Sequence, residues 1–255
     1  MPAQASGPAL PADPEPPTWW TRWLIVVWEG RYAVASGIVA TWLLLELGTL
    51  PFADVARLAR QNPGQTAFMR EQSDRARELK KPFRIVRKWV RLSLIPGDVV
   101  HAVIVAEDGT FWSHEGFDWY ELRESLERDL TEGRAVRGAS TITQQLVKNL
   151  YLSSSKSPMR KLKEWVLTWW MEQNLPKSRI LELYLNVIEW GPGIYGVGAA
   201  AQYHFGKQVS ELSREEAARL AAIIPRPRRF RADSEARYVE RYAKIILRRM
   251  DARGW

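Results

Sequence analysis

Glu107 closes an apolar run, Val99 to Ala106, that also contains His101, and it opens the segment Glu107-Asp108-Gly109-Thr110-Phe111-Trp112-Ser113-His114-Glu115-Gly116. A carboxylate at the end of an apolar helix is a candidate general base, because burial raises its proton affinity. The same pattern also suits a helix-end acid in a solvated turn. A second segment runs Arg137-Gly138-Ala139-Ser140-Thr141-Ile142-Thr143-Gln144-Gln145-Leu146-Val147-Lys148-Asn149. At helical spacing Thr141, Gln144, Gln145 and Lys148 fall within one arc of about 100°. Ile142, Leu146, Val147 and Leu150 take the opposite side, the expected core face. The polar stripe holds uncharged hydrogen-bonding groups and one cation, which suits a sugar or phosphate ligand, although a solvated face fits it as well.

Between Glu132 and Glu164 no acidic residue occurs, while seven basic ones do: Arg134, Arg137, Lys148, Lys156, Arg160, Lys161 and Lys163. Such a block can neutralise a diphosphate, or face anionic lipid headgroups. Glu164 lies at helix spacing from Arg160 and Lys161, so it either orients those cations or takes part in chemistry. Three other matches fail. Gly191-Pro192-Gly193-Ile194-Tyr195-Gly196 fits GxGxxG, but Pro192 removes a backbone donor and a helix pattern precedes it, which disfavours nucleotide binding. Ser153-Ser154-Ser155-Lys156 fits SxxK without the companion motifs of a transpeptidase. Arg226 to Arg231 reads as a solvated or headgroup-facing loop.

The elements that must position these residues are mostly helices. Asp118 with Glu121 forms a capping-box pattern ahead of Leu122, Leu126 and Leu130, with Gly133 as a stop. Ser157-Pro158 starts a helix, Ser178 opens another, Ser213 with Glu216 caps a run ending at Pro225, and Ser234 precedes a last helix to about Arg253. Phe83 to Val90 is the best strand candidate. The expectation is a mainly α domain with at most a small β element, over residues 62–255. Ahead of it, residues 1–18 read as a disordered tail, and Trp19, Trp20, Trp23 and Trp28 look like an interfacial belt. Residues 1–31 are thus the tail and its tryptophan segment, and 32–52 an apolar window long enough for a membrane anchor. A cleaved signal peptide is the rival, disfavoured by the long polar lead-in and the missing Ala-x-Ala-like site. Flanking charge does not orient the anchor, since arginines stand on both sides.

The 255 residues carry a formal charge of +8, which points to anionic company. No cysteine is present, which excludes disulfides and thiolate chemistry. The three histidines, His101, His114 and His204, are far apart without an HExxH, which disfavours a zinc hydrolase.

The segments together resemble glycosyltransferase family 51, the peptidoglycan glycosyltransferases. E-D-x-x-F-x-x-H-x-G stands at Glu107 to Gly116, G-A-S-T-I-T-Q-Q-L-V-K-N at Gly138 to Asn149, R-K-x-x-E at Arg160 to Glu164, and I-L-E-L-Y-L-N at Ile180 to Asn186. Four motifs in the family's order over about 80 residues are a very specific match. The resemblance spans about Asn62 to Met250, and one anchor without a transpeptidase domain fits its monofunctional members. It implies a lysozyme-like, α-rich fold and lipid II as substrate, polymerised into β-1,4 glycan strands with inversion and release of polyprenyl pyrophosphate. By position, Glu107 is the implied base that deprotonates the acceptor 4-hydroxyl, and Glu164 the second family glutamate. Lys148, Arg160 and Lys163 are implied at the donor pyrophosphate, and Thr141, Gln144 and Gln145 along the sugar path. Asp108, Phe111, His114, Ser140 and Asn149 enter the implied substrate site with their motifs. Lys156 stands where the family often has arginine, and a lysine lacks the bidentate fork. The resemblance further implies a divalent cation, Mg²⁺ or Mn²⁺, with no organic cofactor. It implies a single pass in the inner (cytoplasmic) membrane with the catalytic domain on the periplasmic or outer face. Cell-wall synthesis or division proteins are possible partners; nucleic acid is not expected.

The chemistry agrees with these residue types. A sugar hydroxyl needs one positioned base, whereas a pyrophosphate leaving group needs charge stabilisation, from cations or a metal, and not protonation. Hydrolysis between sugars needs an acid, usually paired with a second carboxylate. One carboxylate with a basic cluster favours transfer. A lytic glycosidase and a silent membrane-tethered glycan-binding scaffold are the rivals, with a nucleic-acid binder behind them.

Overall fold

The computed structural model describes residues 19–132, 140–155 and 157–255. The expected tail (1–18), the stop at Gly133, Arg134, Arg137, Gly138, Ala139 and Lys156 lie outside the described residues. The chain divides into two units, Met1–Leu50 and Pro51–Trp255.

In the first unit a single helix, α1 (Trp19–Gly48), joins the tryptophan segment to the apolar window without a break. No proline interrupts this stretch, so every backbone bond can stay inside the helix, as a lipid environment demands. Val34, Ile38, Val39, Trp42, Leu44 and Leu45 are all exposed. Arg31–Arg57 is the one stretch among the described residues long and apolar enough to cross a membrane.

The second unit begins with α2 (Phe52–Arg57) and α3 (Ala67–Glu78), followed by the short β1 (Val86–Arg87). Helices α4 (Gly97–Glu107), α5 (Trp119–Glu132), α6 (Ile142–Tyr151), α7 (Pro158–Asn174) and α8 (Lys177–Val187) come next. A tight hairpin, β2 (Glu189–Gly191) and β3 (Ile194–Tyr195), leads to α9 (Val197–Phe205), α10 (Arg214–Ile223) and α11 (Arg237–Asp251). The fold is mainly helical with a small three-stranded sheet in the order β1-β3-β2, β1 parallel to β3 and β2 antiparallel to it.

Several helix starts follow the sequence signals. Asp118 accepts from the Glu121 N–H at 2.8 Å ahead of α5, Ser157 caps α7 with proline in its first turn, and Ser213 with Glu216 closes a capping box on α10. Two do not. Helix α8 starts at Lys177 after Pro176, so Ser178 lies inside its first turn. Helix α11 starts at Arg237 without a side-chain cap, and the Ser234 hydroxyl instead donates to the Arg231 carbonyl at 2.7 Å. The expected strand over 83–90 shrinks to Val86–Arg87, because Val90 is pinned from the side. Buried Asn186 of α8 accepts from the Val90 N–H and donates to the Val90 carbonyl, both at 2.8 Å.

The GxGxxG-like run is the turn of the hairpin. Gly193 has φ +75°, and a Cβ there would lie 2.4 Å from the Arg84 carbonyl oxygen, so only glycine lets β3 pair with β1.

Two packing groups make the core. Helix α10 lies against α11 and α4, and α6 lies against α8, α7 and α3. The alanines of α10 (Ala217, Ala218, Ala221, Ala222) are buried, and small side chains let helix axes approach closely. Val99, Ala102, Val103 and Ile104 of α4 and Ile142, Leu146, Val147 and Leu150 of α6 are buried as their apolar spacing predicts. Candidate site residues stand on both helices, Glu107 at the end of α4 and Gln145 and Lys148 on α6.

Candidate active site

Glu107 is the last residue of α4, half-buried. Burial raises its carboxyl from the ordinary carboxylate range to about 7, a hydrogen bond from Gln145 opposes the rise, and the neighbouring Asp108 adds to it. Gln145 Nε2 donates to Glu107 Oε2 at 2.9 Å, and Tyr184 Oη donates to Gln145 Oε1 at 2.9 Å. That second bond fixes which end of the amide faces the carboxylate. Gln145 comes from α6 and Tyr184 from α8, so α6–α8 packing sets the hydrogen bond to the Glu107 carboxylate. Tyr184 belongs to the I-L-E-L-Y-L-N run, where the sequence gives it no role of its own.

Asp108 plays a different part. Its buried carboxylate accepts from the Ile142 N–H at 2.9 Å, at the N-terminus of α6, and meets His114 Nε2 at 2.9 Å and 3.1 Å. The Gly116 N–H donates to His114 Nδ1 at 3.0 Å, which assigns the ring proton to Nε2 and aims it at Asp108. Thr141 Oγ1 donates to the Gly116 carbonyl at 2.7 Å and also caps α6. Asp108, His114, Gly116 and Thr141 thus clamp the end of α4, the following turn and the start of α6 to one another. Gly116 has φ +89°, and a Cβ would sit 2.9 Å from Glu172 Cγ and Thr168 Cγ2. Phe111 is fully buried beneath the turn, with Lys177 Nζ 4.6 Å from its ring centroid. Buried Glu172 accepts from Thr143 Oγ1 and Lys177 Nζ; sequence reasoning passed over it.

The polar stripe of α6 therefore splits. Thr141 and Gln144 are buried and spend their side chains on a capping box. Ser140 is exposed, and its carbonyl is 3.4 Å from Gln145 Nε2. Gln145, Lys148 and Asn149 open into a cleft of about 460 Å³ that Tyr184, Ile188 and Glu189 also line. On its rim lies the loop Pro225 to Arg229. The loop, expected to be solvated or headgroup-facing, keeps Arg228 and Arg229 exposed, and Arg228 also forks onto the buried carboxylate of Glu189 at 2.7 Å and 2.9 Å. No local pattern marks Glu189 as its partner, because the pair is 39 residues apart in sequence.

Glu164 is buried on α7 and takes Arg160 on one oxygen and Lys161 on the other, each at 2.5 Å. Arg160 is mostly buried, with its Nε unpartnered. Lys163 is half-buried on the same helix. The described residues thus join Glu107, Gln145, Lys148, Asn149 and Tyr184 in one neighbourhood, while Arg160, Lys161 and Glu164 form an ion-paired group on α7, which packs against α6. A further hollow, lined by His114, Phe117, Trp119, Tyr120 and Trp169 among others, lies beside the turn.

Among the described residues no group of three or more His, Asp or Glu side chains could hold a metal ion.

The family model described as Transglycosylase matches residues 74–251. The chain is 40% identical over 215 residues to the biosynthetic peptidoglycan transglycosylase of Janthinobacterium sp. (strain Marseille), covering 84% of this chain and 93% of the relative. To the protein of the same name from Chromobacterium violaceum it is 42% identical over 219 residues, 86% of this chain and 95% of the relative. To that of Methylobacillus flagellatus it is 43% identical over 199 residues, 78% and 87%. With motifs, helical fold and matched span in agreement, the chain belongs to the transglycosylase family.

Proposed function

We propose that the protein polymerises lipid II into β-1,4 glycan strands, as a peptidoglycan glycosyltransferase of bacterial cell-wall synthesis. The observation that carries this reading is the Glu107 carboxylate, poised near neutrality and one hydrogen bond from Gln145, which opens into a polar, basic cleft. Ionised Glu107 takes the proton of the acceptor 4-hydroxyl as that oxygen attacks the donor's anomeric carbon. The bond to the pyrophosphate breaks, and Lys148, Arg160 and Lys163 stabilise the departing charge. Glu164 positions Arg160 and Lys161 and leaves the proton transfer to Glu107, since both its oxygens are already engaged. Asp108 and His114 hold the base's helix end in register with α6.

A divalent cation would be held mainly by the substrate's pyrophosphate with at most one or two protein carboxylates, since among the described residues no three His, Asp or Glu side chains gather to hold one. Helix α1 anchors the enzyme in the inner membrane with the second unit on the outer face. Exposed Trp112, Trp119, Tyr120, Trp165 and Trp169 support an interfacial position for that unit.

The test is incubation of full-length protein with labelled lipid II, followed by gel separation of the products. Glycan ladders are expected from the wild type and none from Glu107→Gln. Digestion of finished wall without any polymer would instead establish a lytic enzyme.

A further inference from the structure

The loop between α10 and α11 has a fixed shape. The Arg226 N–H donates to the Ile223 carbonyl at 2.8 Å and the Arg229 N–H to the Arg226 carbonyl at 3.0 Å. Pro225 and Pro227 remove alternative backbone conformations. Phe230 stacks on Tyr238 at 4.6 Å between centroids, and Tyr238 on Tyr242 at 5.8 Å, so an aromatic ladder ties the loop to α11.

The four arginines of the loop divide into two kinds. Arg228 neutralises Glu189, and Arg231 forks onto Asp233. Arg226 and Arg229 make no ion pair among the described residues. Their guanidinium groups lie over the rings of Tyr238, at 5.5 Å, and Phe230, at 5.4 Å. A cation–π contact of this kind uses none of the guanidinium's N–H donors, which remain available to an oxyanion. Both arginines line the cleft shared with Lys148, where the one acid, Glu189, is already paired. Among the described residues these three cations have no ion-pair partner, an arrangement around one cleft that suits an anion.

We infer that Arg226 and Arg229, with Lys148, form an oxyanion subsite for an acidic group of the lipid-linked substrate. The shared chemistry is that of a phosphate or a carboxylate, the one in the pyrophosphate, the other in the attached peptide. The inference rests on the glycosyltransferase reading and extends its binding surface to a loop outside the family's four motifs.

The experiment titrates labelled lipid II against full-length Arg226→Gln and Arg229→Gln enzymes in detergent. Each should raise KM about ten-fold, the scale of one charge-assisted contact, with kcat nearly unchanged. Melting temperature should hold, since among the described residues neither side chain makes an ion pair, and Arg229→Lys should recover part of the loss. Arg237→Gln, exposed at the start of α11 and outside the cleft, removes the same charge and should keep the wild-type KM. Lipid II with amidated peptide carboxylates separates the sources. If wild type itself loses affinity and the variants lose nothing more, the anion is the carboxylate; if the variants' defect persists unchanged, it is the pyrophosphate. Unaltered KM in both Gln variants, or an equal rise in Arg237→Gln, overturns the subsite alone. Wild-type protein that makes no polymer overturns the functional reading and the subsite with it.

Discussion

At the scale of the residue, Glu107 and Gln145 work against each other. Burial favours the neutral acid, while the amide of Gln145 stabilises the carboxylate and brings the balance to about 7. A base acts when ionised, so kcat/KM should rise with pH through neutrality. Gln145→Leu deletes the stabilising bond and should move that rise upward by about one pH unit, the size of one hydrogen bond to a charged group. A pH–rate profile checks this, and an unmoved limb would assign it to another group. Stability runs the opposite way. The native carboxyl stays protonated where the unfolded one, near 4.5, has lost its proton. The folded state thus binds more protons between about 4.5 and 7, and stability falls as pH rises across that window. Glu107→Gln should abolish polymerisation yet flatten this fall, which melting curves at pH 5 and pH 8 would reveal. Glu164→Gln, by contrast, should mainly raise KM, because Arg160 and Lys161 lose their anchor while the base remains; a collapse of kcat with KM intact would give Glu164 a direct catalytic part.

Among the elements, the decisive junction is between the end of α4 and the start of α6. Asp108 holds the first N–H of α6, Thr141 caps it and binds the Gly116 carbonyl, and His114 spans the turn between them. Asp108→Ala leaves the Nε2 proton of His114 and a helix N–H without their partner, and should cost about 3 kcal/mol, or roughly 6–12 °C in a domain of this size. Gly116→Ala should destabilise comparably, because it pairs a left-handed backbone with a 2.9 Å clash against Glu172 and Thr168. Calorimetry of both variants checks the junction. Much of this framework could be read from one chain. The apolar sides of α4 and α6, the capping pairs at Asp118 and Ser213 and the proline start of α7 are local signals, and local hydrogen bonds honour them. The capping box at Thr141 and Gln144 escaped notice because the same residues also made a plausible ligand stripe. The links from Tyr184 to Gln145, from Arg228 to Glu189 and from Asn186 to Val90 span 39 to 96 residues. No periodicity encodes such pairs; they exist only once the helices have packed.

For the molecule as a whole, the anchor and the catalytic unit make separable contributions. Residues 51–255 bury a core of their own, while the described side chains of α1, from residue 31 on, are mostly exposed. A protein of residues 51–255 should therefore fold, with a melting temperature within a few degrees of the full chain's catalytic unit. Its substrate, carrying a long lipid tail, stays in the bilayer, so an unanchored enzyme must find the surface by diffusion. Tethering replaces that encounter by a high local concentration, worth about 10²–10⁴-fold in apparent affinity where the geometry permits. The basic charge and the exposed tryptophans of the second unit offset part of the loss by drawing it to anionic lipid. Truncation should accordingly cut polymerisation sharply in vesicles at physiological salt, less at low salt, where headgroup attraction is unscreened. In detergent micelles, where the substrate is no longer confined to a continuous surface, the truncated and full-length proteins should differ little. Rates measured side by side in vesicles and micelles decide the matter: an equal deficit in both would mean that α1 contributes to the reaction itself, whereas a deficit confined to vesicles leaves α1 a tether and the cleft of the second unit sufficient for chemistry.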